Sequence, residues 1–594
     1  MASNKKYKDS YYPIREIKSV KEMIDSSAGL FPERTAYLHK PVPGGHYQPV
    51  TYRQLKEDID ALGTALLRLG LKGTHIAVIG ETRYEWMVAD LAVLNGVGVV
   101  VPLDRELPEA ELRNLCERAH ISAIFYSSKL ERKLFRALEG IEGIKYRISM
   151  DARKSEDGTV SMQELIEAGR KLMLSGNRSY IDAKIDPEVM SILLFTSGTT
   201  GLAKGVMLSH RNIVSEVMNM SMYVHVSEDD ISLSILPIHH TYEYTCNHMT
   251  VLYQGGTMAI CEGLKHIVKN MNECHATIML GVPQVFELMH KRIWTQAEKS
   301  GSAEKLRKGL MLARRLERFN IKSMRKLFKD VHKAFGGNMR LFIAGAAAMD
   351  PVIIEDFNLM GINMFQGYGL TENSPIVAVH RDRYHDAASV GPAMPNTEIR
   401  IVDQDEDGIG EVITRNDSVM LGYYEDPEAT AKVLKDGWLY TGDYGYLDDR
   451  GFLFITGRKK NVIITRNGKN VFPEEVEYYL NKSDYINEVI VRGEEDAKSG
   501  DLVVTAHIVP NFPEIEKAAG GPLEDEALHR FLKKEVDRIN DNMSSYKRVK
   551  RIVVRKEEFE KTSTRKIKRF GANMGEAETA PAPAEAAGAD GLAD

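Results

Sequence analysis

The sequence predicts an α/β fold: a large N-terminal domain of doubly wound, mostly parallel sheets, a small β-rich subdomain, and a smaller α+β domain at the C-terminus. Three observations point there. Short β-branched runs alternate with helical patterns from about residue 74 and again after Met190. Helical patterns thin out after residue 397. And 594 residues exceed what one hydrophobic core organises, so two or more domains are expected.

Each element follows from its residues. His75–Ile79 reads as a strand, Glu85–Leu94 as a helix, Val97–Val101 as a strand, Glu109–Ala119 as a helix and Ile121–Tyr126 as a strand. Strands joined through helices run parallel, with the helices covering the sheet. Ser191–Phe195 resumes the rhythm, and a helical pattern begins near His210. Further strands are expected at Ser232–Leu236, Thr277–Leu280 and Arg340–Ala344. Residues 303–334 form a basic helical stretch, with Ile321, Met324, Leu327, Phe328 and Val331 at helical spacing. Its Lys and Arg residues fit two uses: attracting nucleotide or CoA phosphates, or forming the solvated face of an amphipathic helix. Thr397–Val402, Gly410–Thr414 and Gly451–Thr456 read as short strands. Pro473–Leu480 and Glu524–Asn540 read as helices, and Leu502–Val509 and Arg551–Val554 as strands. The expected division is 1–457, 458–574 and a tail, 575–594, whose Ala, Pro and Glu offer no apolar anchor and predict disorder.

Composition excludes some classes. Lys plus Arg is 78 against 84 for Asp plus Glu, which gives no bulk signal for nucleic acid. Neither a secretory signal nor a bilayer-spanning run is evident. Cys116, Cys246, Cys261 and Cys274 are scattered, as expected of free thiols in a reducing cytoplasm.

The most informative segment is Phe195-Thr196-Ser197-Gly198-Thr199-Thr200-Gly201-Leu202-Ala203-Lys204-Gly205. Glycines let backbone N–H groups converge on an anion, hydroxyls add donors, and Lys204 adds charge. It is not a Walker A loop, because Ala203 and Gly205 flank the lysine. Four further strings follow: Ala344-Gly345-Ala346-Ala347-Ala348, Gln366-Gly367-Tyr368-Gly369-Leu370-Thr371-Glu372, Tyr440-Thr441-Gly442-Asp443 and Gly457-Arg458-Lys459-Lys460. Small side chains in the first of these serve either a flat ring against the backbone or tight strand–helix packing.

In this order the strings resemble the adenylate-forming superfamily, and most closely its long-chain fatty acid–CoA ligases. The resemblance spans roughly residues 30–570. It implies that the 196–205 loop cradles phosphates, that Gly345, Ala346, Ala347, Gln366, Gly367, Tyr368 and Gly369 border adenine, and that Thr371 contacts the α-phosphate. Glu372 and Thr196 would hold Mg²⁺, while Asp443 and Arg458 would take the ribose, with Ile455 beside them. Lys460 would be the hinge of a mobile C-terminal domain. Gly468, Lys469 and Asn470 would line the CoA path, and Lys566, in Thr562-Ser563-Thr564-Arg565-Lys566-Ile567-Lys568-Arg569, would bridge carboxylate and α-phosphate. Glu560 and Arg565 stand where the family commonly has Pro and Gly, and Arg466-Asn467-Gly468 keeps one glycine of a usual pair. His240 aligns with a residue that gates the acyl pocket; a lone histidine is as often a satisfied core residue.

The function implied is ATP- and Mg²⁺-dependent activation of a carboxylic acid, a medium- or long-chain fatty acid, followed by transfer to coenzyme A. Two alternatives stay open: an acyl carrier protein as acceptor, and a non-catalytic lipid-binding relative. Long-chain acids partition into bilayers, so peripheral membrane contact is a further expectation, within a cytoplasmic location.

Overall fold

The computed structural model describes residues 11–196, 203–317, 325–382, 384–465, 469–495, 502–561 and 567–569. The chain forms two compact units, divided between Val462 and Ile463. The strand Leu453–Arg458 and the turn Lys459–Asn461 therefore belong to the first unit. The predicted tail, 575–594, lies outside the described residues.

Two eight-stranded sheets dominate the first unit. One runs Ile376–Val379, Asn363–Gly369, Leu341–Ala344, Ile278–Gly281, Ile231–Ser234, Thr257–Ile260, Thr35–His39, Gln48–Thr51. Its six inner strands are parallel and each edge strand is antiparallel. The other runs Gly422–Tyr423, Lys204–Ser209, Met190–Thr196, Val99–Leu103, His75–Ile79, Ile121–Tyr126, Tyr146–Ser149, Thr159–Ser161, and is parallel except for Lys204–Ser209, which runs against both its neighbours. Burial drives the assembly: Trp86, Phe125 and Tyr180 are fully covered within one core, and a side chain such as Phe125 gains about 1.5–3 kcal/mol from leaving water. A third, antiparallel sheet joins Glu398–Val402, Gly410–Arg415, Trp438–Leu447, Leu434–Lys435 and Leu453–Arg458. This is the small β-rich subdomain.

One element was not foreseen and one expectation needs correction. The helix begins at His210 as read, but a strand stands between it and the phosphate loop. Lys204–Ser209 is a strand, paired antiparallel with Met190–Thr196, and it buries Val206 and Leu208. Ser209 ends that strand and caps the helix His210–Tyr223, accepting from the Asn212 N–H. The basic stretch is not one helix: Ala303–Glu317 and Lys329–Ala334 are separate, with Arg325–Phe328 in turns. Ile321 and Met324 lie outside the described residues.

The second unit is α+β. Ile486–Glu495 and Leu502–Pro510 pair antiparallel, and Arg551–Val554 adds in parallel. The helices Pro473–Leu480 and Asp525–Asn540 cover this sheet through Val476, Leu480, Leu528, Leu532 and Val536.

Candidate functional site

Ile231–Ser234, Ile278–Gly281, Leu341–Ala344 and Asn363–Gly369 are parallel neighbours, so the residues that follow them share one edge of the sheet. The strand order also reverses here, with Thr257–Ile260 on one side of Ile231–Ser234 and Ile278–Gly281 on the other. Open α/β sheets bind ligands at such a reversal, beyond the carboxyl ends of the strands. His240, Gly345–Ala347 and Glu372 all follow these ends.

Gly345 is buried because a Cβ there would lie 2.8 Å from the Tyr242 ring. That ring is fixed by its hydroxyl, which donates to the Ile343 carbonyl at 2.9 Å. The next three alanines, Ala346 to Ala348, are exposed, with Ala346 in the left-handed region at φ 69°. Gly345 thus serves packing, one of the two sequence readings of this segment. Gly369 meets a harder limit, since its Cβ would lie 2.2 Å from the Pro375 carbonyl oxygen. Gln366 is buried, and its amide is used internally, accepting from the Met349 N–H at 2.7 Å and donating to the Ser389 carbonyl at 3.0 Å. It stiffens the strand.

Glu372 sits in the single turn Thr371–Asn373. Asn373 donates to the Ile376 carbonyl at 2.8 Å, Asn416 donates to Asn373 at 3.0 Å, and the Met420 N–H donates to the Glu372 carbonyl at 2.8 Å. The carboxylate itself accepts the Tyr423 hydroxyl at 2.8 Å. Lys204 Nζ lies 4.7 Å from the centre of the same Tyr423 ring. One phenol thus joins the cation at the exit of the phosphate loop to the acid of the neighbouring sheet. Burial, then Glu372, raises the Tyr423 hydroxyl above its ordinary value, so it stays protonated and donates.

A second phenol ties in the third sheet. Tyr368 donates to Asp443 Oδ2 at 2.6 Å, and Arg458 Nε meets Asp443 Oδ1 at 2.8 Å. Asp443 and Arg458 are cross-strand partners, which fixes their approach. Burial and the Asp443 carboxylate hold the Tyr368 hydroxyl well above its usual value. Ile455 and Tyr368 pack on the same small cluster, around Ala378 and Leu453.

The stems of the phosphate loop are held from outside. Thr196 and Lys204 are cross-strand partners. Arg118 donates to the Ala203 carbonyl at 2.9 Å and stands 5.6 Å from the Phe195 ring centre. His240 precedes the short helix Thr241–Glu243, its ring centre 4.1 Å from that of His239 with the planes tilted by 44°. Burial, then His239, lowers its pKa to about 3, against Asp104. A ring that weakly basic lines a site rather than takes protons near neutrality. Lys460 is exposed, two residues before the division between the units. In the second unit the Lys469 carbonyl accepts from the Thr465 N–H at 3.0 Å and the Lys469 N–H donates to the Thr465 hydroxyl at 3.2 Å, and Asn470 pairs with Ile464. Ser197, Gly198, Thr199, Thr200, Gly201, Gly468 and Lys566 lie outside the described residues.

Sequence reasoning passed over Tyr423, Arg118 and Thr441, whose hydroxyl accepts from the Asp443 N–H at 3.1 Å. Thr441 and its neighbours were quoted as a motif. Tyr423 had a weaker signal, an aromatic pair after Gly422 in an apolar run. Arg118 had none, because it acts on a residue 85 positions away.

The donor set suits a nucleotide with Mg²⁺. Among the described residues no three His, Cys, Asp or Glu side chains gather around a metal position. Glu372 with a threonine hydroxyl is the kind of sparse, hard-oxygen set that Mg²⁺ uses when phosphates and water complete its shell.

Comparisons with known proteins agree. The AMP-binding enzyme family matches residues 24–424, and the AMP-binding enzyme C-terminal domain matches residues 460–574. Long-chain-fatty-acid–CoA ligase 1 of Homo sapiens is 29% identical over 537 residues, covering 83% of this chain and 75% of that protein. A chloroplastic long-chain-fatty-acid–acyl-carrier-protein ligase of Arabidopsis thaliana is 26% identical over 575 residues, covering 84% and 77%. The crystal structure of the anthranilate CoA ligase AuaEII with anthranoyl-AMP has the same fold, with a TM-score of 0.74 at 19% identity, covering 94% of this chain and 97% of that one. No helix among the described residues is long and apolar enough to cross a membrane. With the first family match alone spanning more than half its length, the chain belongs to the AMP-binding enzymes of the adenylate-forming superfamily.

Proposed function

We propose that the chain is an ATP-dependent acid–thiol ligase for a medium- or long-chain fatty acid, with coenzyme A as acceptor. The observation that supports it best is the meeting of Lys204, Tyr423 and Glu372 beside Tyr368, Asp443 and Arg458 in a chain similar over most of its length to fatty acid–CoA ligases.

A carboxylate is a poor acyl donor because oxide would have to leave. Attack of its oxygen on the α-phosphorus of ATP forms one P–O bond, breaks another and releases diphosphate. Two anions must first be brought together. Lys204, the loop N–H groups and Lys566 lower that repulsion, and Thr371 orients the α-phosphate. Glu372 and Thr196 would hold magnesium, which would supply further charge neutralisation. Asp443, held in place by Tyr368 and Arg458, accepts the ribose hydroxyls. Ala346 and Ala347 flank the adenine, with Gly345, Gln366, Gly367, Gly369 and Ile455 shaping its border. His240, held neutral, lines the acyl side. In the second half-reaction the CoA thiol loses its proton to solvent, its sulfur attacks the acyl carbon, and AMP leaves. Lys460 is the hinge that exchanges Lys566 for the path of Gly468, Lys469 and Asn470.

The test is ATP–pyrophosphate exchange across acids of graded length, from acetate through aromatic acids to palmitate. Exchange that rises with chain length is the expected result; no exchange with any acid removes the proposal. Free CoA and then an acyl carrier protein, offered to the charged enzyme, separate the two acceptors. The second acceptor is kept because of the similarity to the Arabidopsis carrier-protein ligase.

A further inference from the structure

Charge is unevenly spread along this chain. Between residues 288 and 333 fourteen Lys and Arg stand against four Asp and Glu. That stretch carries +10 within a chain of net charge −6. Its longest described element is the helix Ala303–Glu317. Leu310 and Ala313 bury the inward side, with Leu306 and Leu316 partly buried, against a core that includes Phe328 and Phe357. The outward side exposes Lys305, Arg307, Lys308, Arg314 and Arg315.

Two large apolar side chains stand among those cations. Met311 is 56% exposed and Leu312 46%. Leu288, on the preceding helix Pro283–Lys299 that packs against this one, is 53% exposed, and Lys291 and Arg292 beside it are exposed too. The cations are only partly neutralised. Arg307 and Lys308 share Glu304 at 3.8 and 3.7 Å, and Arg314 pairs with Glu355 at 2.7 Å. Among the described residues Lys305 and Arg315 have no acidic partner.

A purely solvated helix face gains nothing from a Met–Leu pair in water, and a nucleic acid would call on the cations alone. Cations around an exposed apolar pair match an interface where anionic headgroups overlie hydrocarbon. We propose that the outward face of Ala303–Glu317 docks on an anionic lipid bilayer, the helix lying in the membrane plane with Met311 and Leu312 dipping below the headgroups. The surface serves this purpose whichever acid is activated. If that acid is a long-chain fatty acid, docking places the enzyme where its substrate dissolves.

The experiment is co-sedimentation of the purified full chain with vesicles of phosphatidylcholine alone, or with an equal share of phosphatidylglycerol. Binding is expected to the anionic vesicles and to weaken as salt is raised. Each cation near such a surface is worth about fivefold in partitioning, so Lys305→Gln with Lys308→Gln and Arg315→Gln should reduce binding roughly a hundredfold. Met311→Ser with Leu312→Ser should reduce it at least about tenfold without changing the salt dependence. Both variants should keep the melting temperature and the pyrophosphate exchange of the parent with a soluble acid, since none of these residues is in the candidate site. Equal binding to neutral and anionic vesicles, unchanged binding of both variants, or retention on RNA or an acidic carrier protein in place of vesicles would overturn the proposal. Intact vesicle binding in a protein that exchanges no pyrophosphate would count against the ligase reading instead.

Discussion

Replacing Tyr423 by phenylalanine separates its two contacts. The ring stays, and with it the approach of Lys204 Nζ at 4.7 Å. The hydroxyl that donates to Glu372 at 2.8 Å is lost. A hydrogen bond to a charged group contributes about 1.5–3 kcal/mol. Tyr423 is only 6% exposed, so water cannot readily replace the donor. The expected cost is therefore about tenfold to a hundredfold in kcat/KM for ATP, if Glu372 must be oriented for activity. The assay is pyrophosphate exchange at saturating acid, arranged as a double-mutant cycle with Glu372→Gln. Because the hydroxyl acts through the carboxylate, Tyr423→Phe should cost little more once Glu372→Gln is present. Fully additive losses, or a Tyr423→Phe variant as active as the parent, would refute the orienting role.

Arg118→Ala removes the donor to the Ala203 carbonyl and the guanidinium over Phe195; we expect KM for ATP to rise about tenfold with a smaller change in kcat, and Arg118→Lys to recover part of it. Burial raises the Glu216 carboxyl to about 8 from an ordinary 4.5. Between those values the folded state holds a proton that the unfolded chain has released, so this residue makes stability fall as pH rises. Glu216→Gln should be near neutral at about pH 5 and stabilising by a few kcal/mol at about pH 8 in denaturant titrations; a pH-independent difference would contradict the assignment. Lys566→Ala should lose acyl-adenylate formation by roughly 10²–10³-fold while transfer from supplied acyl-adenylate suffers far less. Lys460→Pro should spare adenylation and block thioester formation, measured as AMP release against CoA consumption.

The sequence made the repeated βαβ units legible because buried parallel strands are written as apolar runs. His75–Ile79 and Ile121–Tyr126 have the bounds read from sequence. Lys204–Ser209 was hidden, since its short alternation of Val206 and Leu208 runs straight into a helix. Asn363–Gly369 was hidden by Gly367 and Gly369, which have low strand propensity but are required where Val379 and Pro375 pass close by. Lys204, Glu372, Tyr368 and Asp443 stood out as site residues because each lies in a local motif. Tyr423 and Arg118 could not, because their value lies in contacts between segments far apart in the chain.

The strand Lys204–Ser209 has an electrostatic consequence. In a loop that opens directly into a helix, the helix macrodipole supplies positive potential at the anion. Here the strand residues 206–209 separate the 196–205 loop from the first turn at His210, about 13 Å of extended chain. A helix end acts only within about one turn, so this dipole contributes little to the field at the triphosphate. On the proposed reading the attraction comes from the loop N–H groups and from formal charges, the side-chain cations and the ion that would accompany ATP, so ATP affinity should fall with ionic strength more steeply than in a dipole-assisted phosphate site.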